Sequence, residues 1–241
     1  KDLRKFEKKY NVRIVENEIK ACERAKIIQD SPIPIKKMNL GISINNGSQN
    51  FLPVVDVNEE RMVFIQSRKF YEAVMYSYKE NGDWIEPVNI TPQIGSDGNL
   101  FPTSISPDGK ELLLVKRKNS SDGDIYISKL EGKFWTKAEK LGSNINTFRN
   151  EDYASFAASD SGIFFSSERR GGEGKLDIYY AKRISYLEFG DPVNLGPKIN
   201  TPGNETSAFQ IGNTLYFTST SHFNMGGFDV FYSIRNNDGS W

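Results

Sequence analysis

The sequence predicts an all-β fold, a β-propeller of four-stranded antiparallel blades. Three observations carry this: internal repeats with one period, alternating apolar strands within each repeat, and tight hairpin turns at fixed places. Trp84, Trp135, Phe189 and Trp241 follow one another at 51, 54 and 52 residues. Asp124, Asp177 and Asp229 recur at 53 and 52, and each opens an alternating strand: Asp-Ile-Tyr-Ile, Asp-Ile-Tyr-Tyr and Asp-Val-Phe-Tyr. A third series joins Leu-Gly at 40–41, 141–142 and 195–196 to Ile-Asn at 44–45, 145–146 and 199–200. Several independent series with one period outweigh any single motif.

Each copy divides into four short strands. The first set covers 51–57, 100–106, 153–158 and 206–211, and the second covers 62–67, 111–116, 163–167 and 214–219. The second set is almost wholly apolar, as in Leu112-Leu113-Leu114-Val115, which is the pattern of strands covered on both faces. The Asp-initiated strands form the third set, and the fourth runs from the Trp position to the Leu-Gly pair. Ser106-Pro107-Asp108-Gly109-Lys110 predicts a tight turn between first and second strands, because Pro presets φ and Gly accepts positive φ. Asn81-Gly82, Glu131-Gly132 and Asp238-Gly239 predict hairpins just before each Trp position. One copy cannot bury both of its faces, so copies stack side by side around an axis. A linear solenoid competes, but hairpins require antiparallel pairing. Four copies are visible, the last ending at Trp241 before its fourth strand. About two further blades are expected, unless residues 33–41 supply that strand and close a four-bladed ring.

Residues 1–31 read as a separate helical segment, and 32–241 as the propeller. Val15, Ile19, Cys22, Ala25 and Ile28 place an apolar stripe on one helix face, and Pro32 stops the helix. Leu3, Phe6 and Tyr10 suggest the tail of an earlier helix. The segment is either a linker packed on the propeller or the last hairpin of a helical repeat. Cys22 is expected as a small buried residue. The run Ile19–Cys22 is no lipoprotein cleavage site, because Lys20 is charged and no apolar stretch precedes it. The chain starts at Lys1 without an initiator Met or signal peptide, which reads as a piece of a longer protein.

Composition excludes several function classes. Lys plus Arg and Asp plus Glu number 31 each, so there is no basic excess to hold nucleic acid. No apolar run reaches the length of a membrane span. A single Cys allows no internal disulfide, and one Cys with one His cannot fill a structural zinc site.

The residues Pro107-Asp108-Gly109-Lys110, an apolar strand, a Gly-rich loop, Asp-Ile-Tyr, Gly-x-Trp and Leu-Gly-x-x-Ile-Asn-Thr resemble the WD40-like Pro-Asp repeat, related to the propeller of TolB. The form most similar is that of Bacteroidetes envelope proteins. In those, a tetratricopeptide segment runs into the propeller, and an OmpA-like peptidoglycan-binding domain often follows. Ser31-Pro32-Ile33-Pro34-Ile35-Lys36-Lys37-Met38-Asn39-Leu40-Gly41 resembles their junction. The resemblance covers about residues 30–241 and implies a periplasmic, outer-membrane-associated protein, with some such proteins serving type IX secretion. Copy one departs from it, with Ala73 in place of the Asp and Val57-Asn58-Glu59-Glu60 in place of Pro-Asp-Gly. Copy three has Ser159-Asp160-Ser161-Gly162 at that turn, and copy four only Gly212-Asn213.

Catalytic chemistry is hard to find. His222 is the single histidine, no Gly-x-Ser-x-Gly elbow is present, and a surface loop is its expected place. Ser120-Ser121-Asp122-Gly123-Asp124 lacks the further acids and closing Glu of a calcium loop. The repeated Asp124, Asp177 and Asp229 are read as caps on backbone N–H groups, and Gly171-Gly172 and Gly226-Gly227 as turns rather than phosphate cradles. The expectation is therefore a non-enzymatic scaffold that binds an envelope protein, with no cofactor and no metal. A glycan-binding or glycan-active propeller is the alternative. The pore lining, Thr103-Ser104, Ala154-Ser155 and Ser207-Ala208, looks bland, which favours the scaffold. Phe70, Tyr71, Arg169, Arg170, His222 and Phe223 fall in equivalent loops and form the candidate interaction rim, since Arg and aromatics anchor protein interfaces.

Overall fold

The computed structural model describes residues 12–30, 34–119, 122–159, 161–223 and 225–241. It is an all-β, four-bladed propeller with one helix ahead of it. Blade one comprises β1 (Asn50–Val55), β2 (Arg61–Ser67), β3 (Glu72–Glu80) and a fourth strand split into β4 (Asp83–Trp84) and β5 (Val88–Asn89). Blade two repeats this as β6 (Leu100–Ile105), β7 (Glu111–Asn119), β8 (Asp122–Glu131), β9 (Phe134–Trp135) and β10 (Glu139–Lys140). Blade three holds β11 (Glu151–Phe156), β12 (Gly162–Ser167), β13 (Asp177–Lys182) and β14 (Val193–Asn194), and blade four β15 (Glu205–Ile211), β16 (Thr214–Ser219) and β17 (Asp229–Ile234). All strand pairs named here are antiparallel.

Turn chemistry sets the register. Gly109 donates to the Ser106 carbonyl at 2.8 Å with φ of +72°, while the Ser106 hydroxyl caps the N–H groups of Lys110 and Glu111. In blade one Asp56 does the same for Glu60 and Arg61, and Glu59 takes the left-handed backbone at φ of +57°. The Pro-Asp-Gly wording is therefore dispensable; the geometry it encodes is kept.

The first strands pack side by side, β1 against β6, β6 against β11, and β11 against β15. The second strands form the centre of each sheet and are wholly buried at Val63, Ile65, Leu112, Leu113, Leu114, Val115, Ile163 and Phe165. Three core clusters lie between neighbouring sheets. One joins Val63, Ile65 and Val74 to Leu112, Leu114 and Trp135; another joins Leu113, Val115 and Ile125 to Ile163, Phe165 and Phe189. Trp135 is the wedge between blades one and two, edge-on to Tyr76 with ring centres 5.5 Å apart. Phe189 fills the corresponding place between blades two and three, and Trp241 packs beside Phe164 between three and four. Trp84 departs from the expected burial. It is half-buried against blade one's own Met62, Phe64 and Met75, with no residue of another described blade in that cluster.

Helix α1 spans Val12–Gln29 and stops before Pro32 as expected; Leu3, Phe6 and Tyr10 lie outside the described residues. The expected apolar stripe is not the buried face. Ile19, Cys22 and Ile28 are exposed, whereas Ala21 is buried. Arg24 lies over the Phe223 ring of blade four at 4.7 Å, which turns the face of Ala21, Arg24 and Ala25 inward. No described helix is long and apolar enough to cross a membrane.

Truncating Trp135 to Ala is expected to cost about 3–5 kcal/mol, as for a buried large aromatic. Trp84→Ala is expected to cost about 1–2 kcal/mol, because the ring is only partly buried and packs within its own blade. Urea unfolding of the two variants checks the order, and equal losses would show that Trp84 is covered in solution.

Candidate functional site: the axial mouth and its rim

The first strands of all four blades surround one cavity of about 280 Å³ on the axis. It is lined by Leu52, Pro53 and Val54 of β1; Phe101, Pro102 and Thr103 of β6; Tyr153 and Ser155 of β11; Ser207, Ala208 and Phe209 of β15; and Arg117 of β7. The expected Thr103, Ser155, Ser207 and Ala208 are there. Aromatic rings, prolines and a guanidinium join them, so the lining is not bland.

Backbone bulges put those rings on the axis. The pairing of each first strand with its neighbour slips between Phe51 and Val54, Pro102 and Ser104, Asp152 and Ser155, and Thr206 and Phe209. Leu52, Tyr153 and Ser207 sit at the slips with φ of +49°, +50° and +54°. Three non-glycine residues in the left-handed region at one place in three blades are a repeated strain, of order 1–3 kcal/mol each. A bulge changes which residues face inward.

Arg117 bridges blades two and three at this mouth. Its Nη2 donates to both Asp152 carboxylate oxygens at 2.9 Å, and its guanidinium lies over the rings of Phe101 (5.6 Å) and Tyr153 (5.4 Å). Burial works against both charges. At Arg117 the facing carboxylate of Asp152 outweighs burial, and the pKa ends above its ordinary value. At Asp152 burial outweighs the guanidinium, and the carboxyl also ends raised. The guanidinium therefore stays charged.

The candidate rim occupies the loops between second and third strands, at the end of the propeller where the first strands begin. It divides into two groups. Phe70 is exposed, Tyr71 is partly exposed with its hydroxyl accepting from Asn89 at 3.1 Å, and Arg170 and Phe223 are exposed. Arg169 turns inward. Its Nη1 and Nη2 donate to the carbonyls of Asn144 and Ile145 at 3.1 and 2.7 Å, and its guanidinium stacks on Phe165 and Tyr179, both at 4.9 Å. His222 does the same job in blade four, with Nε2 2.8 Å from the Ile199 carbonyl and its ring against Phe217 and Phe231. Both are clamps on the Ile-Asn joint, which removes them from the exposed rim.

The repeated acids have local duties. Asp177 accepts from the N–H groups of Glu173 (2.6 Å) and Gly174 (3.0 Å), and Asp229 from that of Met225 (2.6 Å). Asp124 instead pairs with Lys140 at 2.7 Å. Among the described residues no group of three His, Cys, Asp or Glu is placed to hold a metal ion. Glu151, singled out by no motif, is fully buried and accepts from the Thr147 N–H, the Thr147 hydroxyl and the Ser167 hydroxyl at 2.7–2.8 Å. Glu205 repeats this with Thr201 and Ser219. Their signal was in the sequence, as Ile-Asn-Thr-x-x-x-Glu at 145–151 and 199–205.

No family model matches the chain, and no curated protein sequence does. Solved structures do. TolB from Acinetobacter baumannii superposes with a TM-score of 0.55 at 17% identity, over 79% of this chain and 42% of that one. A putative TolB from Agrobacterium tumefaciens gives 0.51 at 15%, over 77% and 61%. The fold is a TolB-like β-propeller. A puromycin hydrolase also matches, with a TM-score of 0.50 at 10% identity over 80% of this chain and 28% of that one. The chain thus spans less than two thirds of each of these proteins.

Burial raises the Glu151 pKa above its ordinary value of 4.5, against the pull of its Thr147 and Ser167 hydrogen bonds and of Arg169. A raised acid binds its proton more tightly in the native state. Its contribution to stability is complete below the unfolded value and is lost as pH rises through the folded one. Glu151→Gln does not titrate. Its thermal midpoint relative to the native protein is expected to rise between about pH 4 and pH 7; a falling difference would show that the ionised form is the favoured one.

Proposed function

We propose that this chain is a non-catalytic, protein-binding propeller of the bacterial cell envelope, periplasmic and associated with the outer membrane. It serves outer-membrane assembly or type IX secretion as an accessory, and contact with peptidoglycan would fall to a separate domain, if one is present. The observation that carries the binding role is the axial mouth. Strained bulges hold Leu52, Pro53, Phe101, Pro102, Tyr153 and Phe209 around a guanidinium already paired with Asp152. Apolar surface maintained at a strained backbone, with exposed Phe70 and Phe223 around it, suits a protein segment inserted along the axis. Acid–base catalysis needs a titratable group aimed at the reacting atom. The lining offers hydroxyls and one committed guanidinium.

The glycan alternative is disfavoured by one contact. Sugar stacking needs open ring faces, and Arg117 covers a face of both Phe101 and Tyr153. The TolB-like fold supports the periplasmic placement.

The test is site-specific photo-crosslinking in the full-length protein, in its own cells. A photoreactive phenylalanine at position 52 or 209 is expected to capture an envelope protein, and the same group at position 27 on the helix is not. Capture at 27 alone, no capture at either axial position, or fractionation with the cytoplasm would overturn the reading.

A further inference from the structure

Three clefts open between neighbouring blades at the end of the propeller opposite the rim, where the first–second and third–fourth turns lie. The repeat makes them equivalent, but they are not equally filled. Between blades two and three, the hairpin of blade three has five residues between Arg183 and Phe189, where four separate Leu130 from Trp135 in blade two. That longer hairpin carries Tyr186 and Leu187, and both side chains pack into the core between the blades. Lys129 lies 5.3 Å from the centre of the Tyr186 ring. Burial pushes the phenol up to about 12, with Thr136, Glu139, Glu111 and Arg183 as its neighbours. Tyr186 is a plug supplied by the chain itself.

Between blades one and two the corresponding space is empty, with a volume of about 480 Å³. Strand register identifies its walls. Tyr78 pairs with Arg61 as Lys129 pairs with Glu111. Val88 pairs with Tyr76 as Glu139 pairs with Ile127. The Ile85 N–H donates to Tyr78 as the Thr136 N–H donates to Lys129. The four residues of blade two around the plug, Lys129, Glu111, Glu139 and Thr136, thus correspond to Tyr78, Arg61, Val88 and Ile85, which all line the empty cleft. Two polar walls have become apolar, and the tight Gly132–Lys133 turn supplies no ring. Tyr78 and Val88 are 41% and 49% exposed. At the rim of the cleft stand Lys79 and Lys133 beside one acid, Glu60, while Arg61 is paired with the buried Asp56 at 3.5 Å.

We infer that the cleft between blades one and two is a receptor for a tyrosine or phenylalanine side chain of a partner peptide, flanked by acidic residues. The ring takes the place that Tyr186 takes one blade further on, against Tyr78, Ile85 and Val88. The cations at the rim select acidic neighbours. The cleft between blades three and four holds about 390 Å³, and Trp241 of blade four already stands in it beside Phe164, so it serves as the internal comparison. The site lies at the other end of the propeller from the axial mouth and stands or falls separately from it.

The probe is the acetylated, amidated tetrapeptide Glu-Tyr-Leu-Glu, which contains the plug's own Tyr-Leu-Glu, titrated into the isotope-labelled chain and followed by amide chemical shifts. Saturable shifts are expected at Tyr78, Ile85 and Val88. Binding about tenfold weaker is expected for the tetrapeptide with Ser in place of Tyr, and for the protein variant Val88→Arg. Should Val88→Arg fail to fold, the Ser peptide decides. The inference is overturned by the absence of saturable shifts at these residues, by shifts confined to the cleft between blades three and four, or by equal binding of the Ser peptide.

Discussion

A sheet that is apolar on both faces cannot stand alone, and every other feature of this molecule follows from how one blade is fixed to the next. The fixture is the Ile-Asn-Thr-x-x-x-Glu segment. Asn146 reaches back: its Oδ1 accepts the Ile125 N–H at 2.7 Å, and its Nδ2 donates to the Ile125 and Leu141 carbonyls at 2.9 Å, so it prolongs the fourth strand of blade two. Thr147 and Glu151 reach forward to Ser167 of blade three. Asn200, Thr201, Glu205 and Ser219 do the same one blade on. Ile145 and Ile199 are fully buried between these ties, and Arg169 and His222 bind their carbonyls from above. Buried polar groups are tolerable only when all are partnered, and here the partnering aligns the blades.

Fixed blades allow the first strands to carry strain. At the bulges, Leu52, Tyr153 and Ser207 hold a backbone that would relax in an isolated hairpin. The Arg117–Asp152 pair ties blade two to blade three at the same level, so the mouth is a rigid collar rather than a set of loose loops. Rigid apolar surface costs little entropy on binding. At the opposite end the same joint produces equivalent clefts, and small differences in hairpin length decide which are filled from within.

The fold was legible because its determinants are periodic. The Trp positions, the Asp-initiated strands and the Leu-Gly-x-x-Ile-Asn run mark each blade, and the antiparallel order follows from Asn81-Gly82 and Pro107-Asp108-Gly109. Site features were less legible because they are deviations from the period. Bulges shift inward-facing parity by one residue, so Phe101, Tyr153 and Phe209 could not be assigned to the axis from alternation. Arg169 and His222 looked like surface residues in Gly-rich and polar loops, and only their carbonyl partners, more than 20 residues away, reveal them as clamps. On the helix, apolar spacing marked Cys22, whereas the covered face is set by where Arg24 meets Phe223. Tyr186 belongs to no repeated series, and its role depends on a neighbouring blade.

The joint is tested most directly by Asn146→Ala. That change takes the partner from the buried Ile125 N–H and one partner each from the Ile125 and Leu141 carbonyls, the former keeping the Leu141 N–H at 3.0 Å, and adds no steric conflict. A loss of about 2–4 kcal/mol in urea unfolding is expected, together with faster hydrogen exchange at the Ile125 amide than at amides within β15 and β16. A loss below about 0.5 kcal/mol, or exchange that quickens equally in all blades, would contradict the claim that this side chain fixes blade two to blade three.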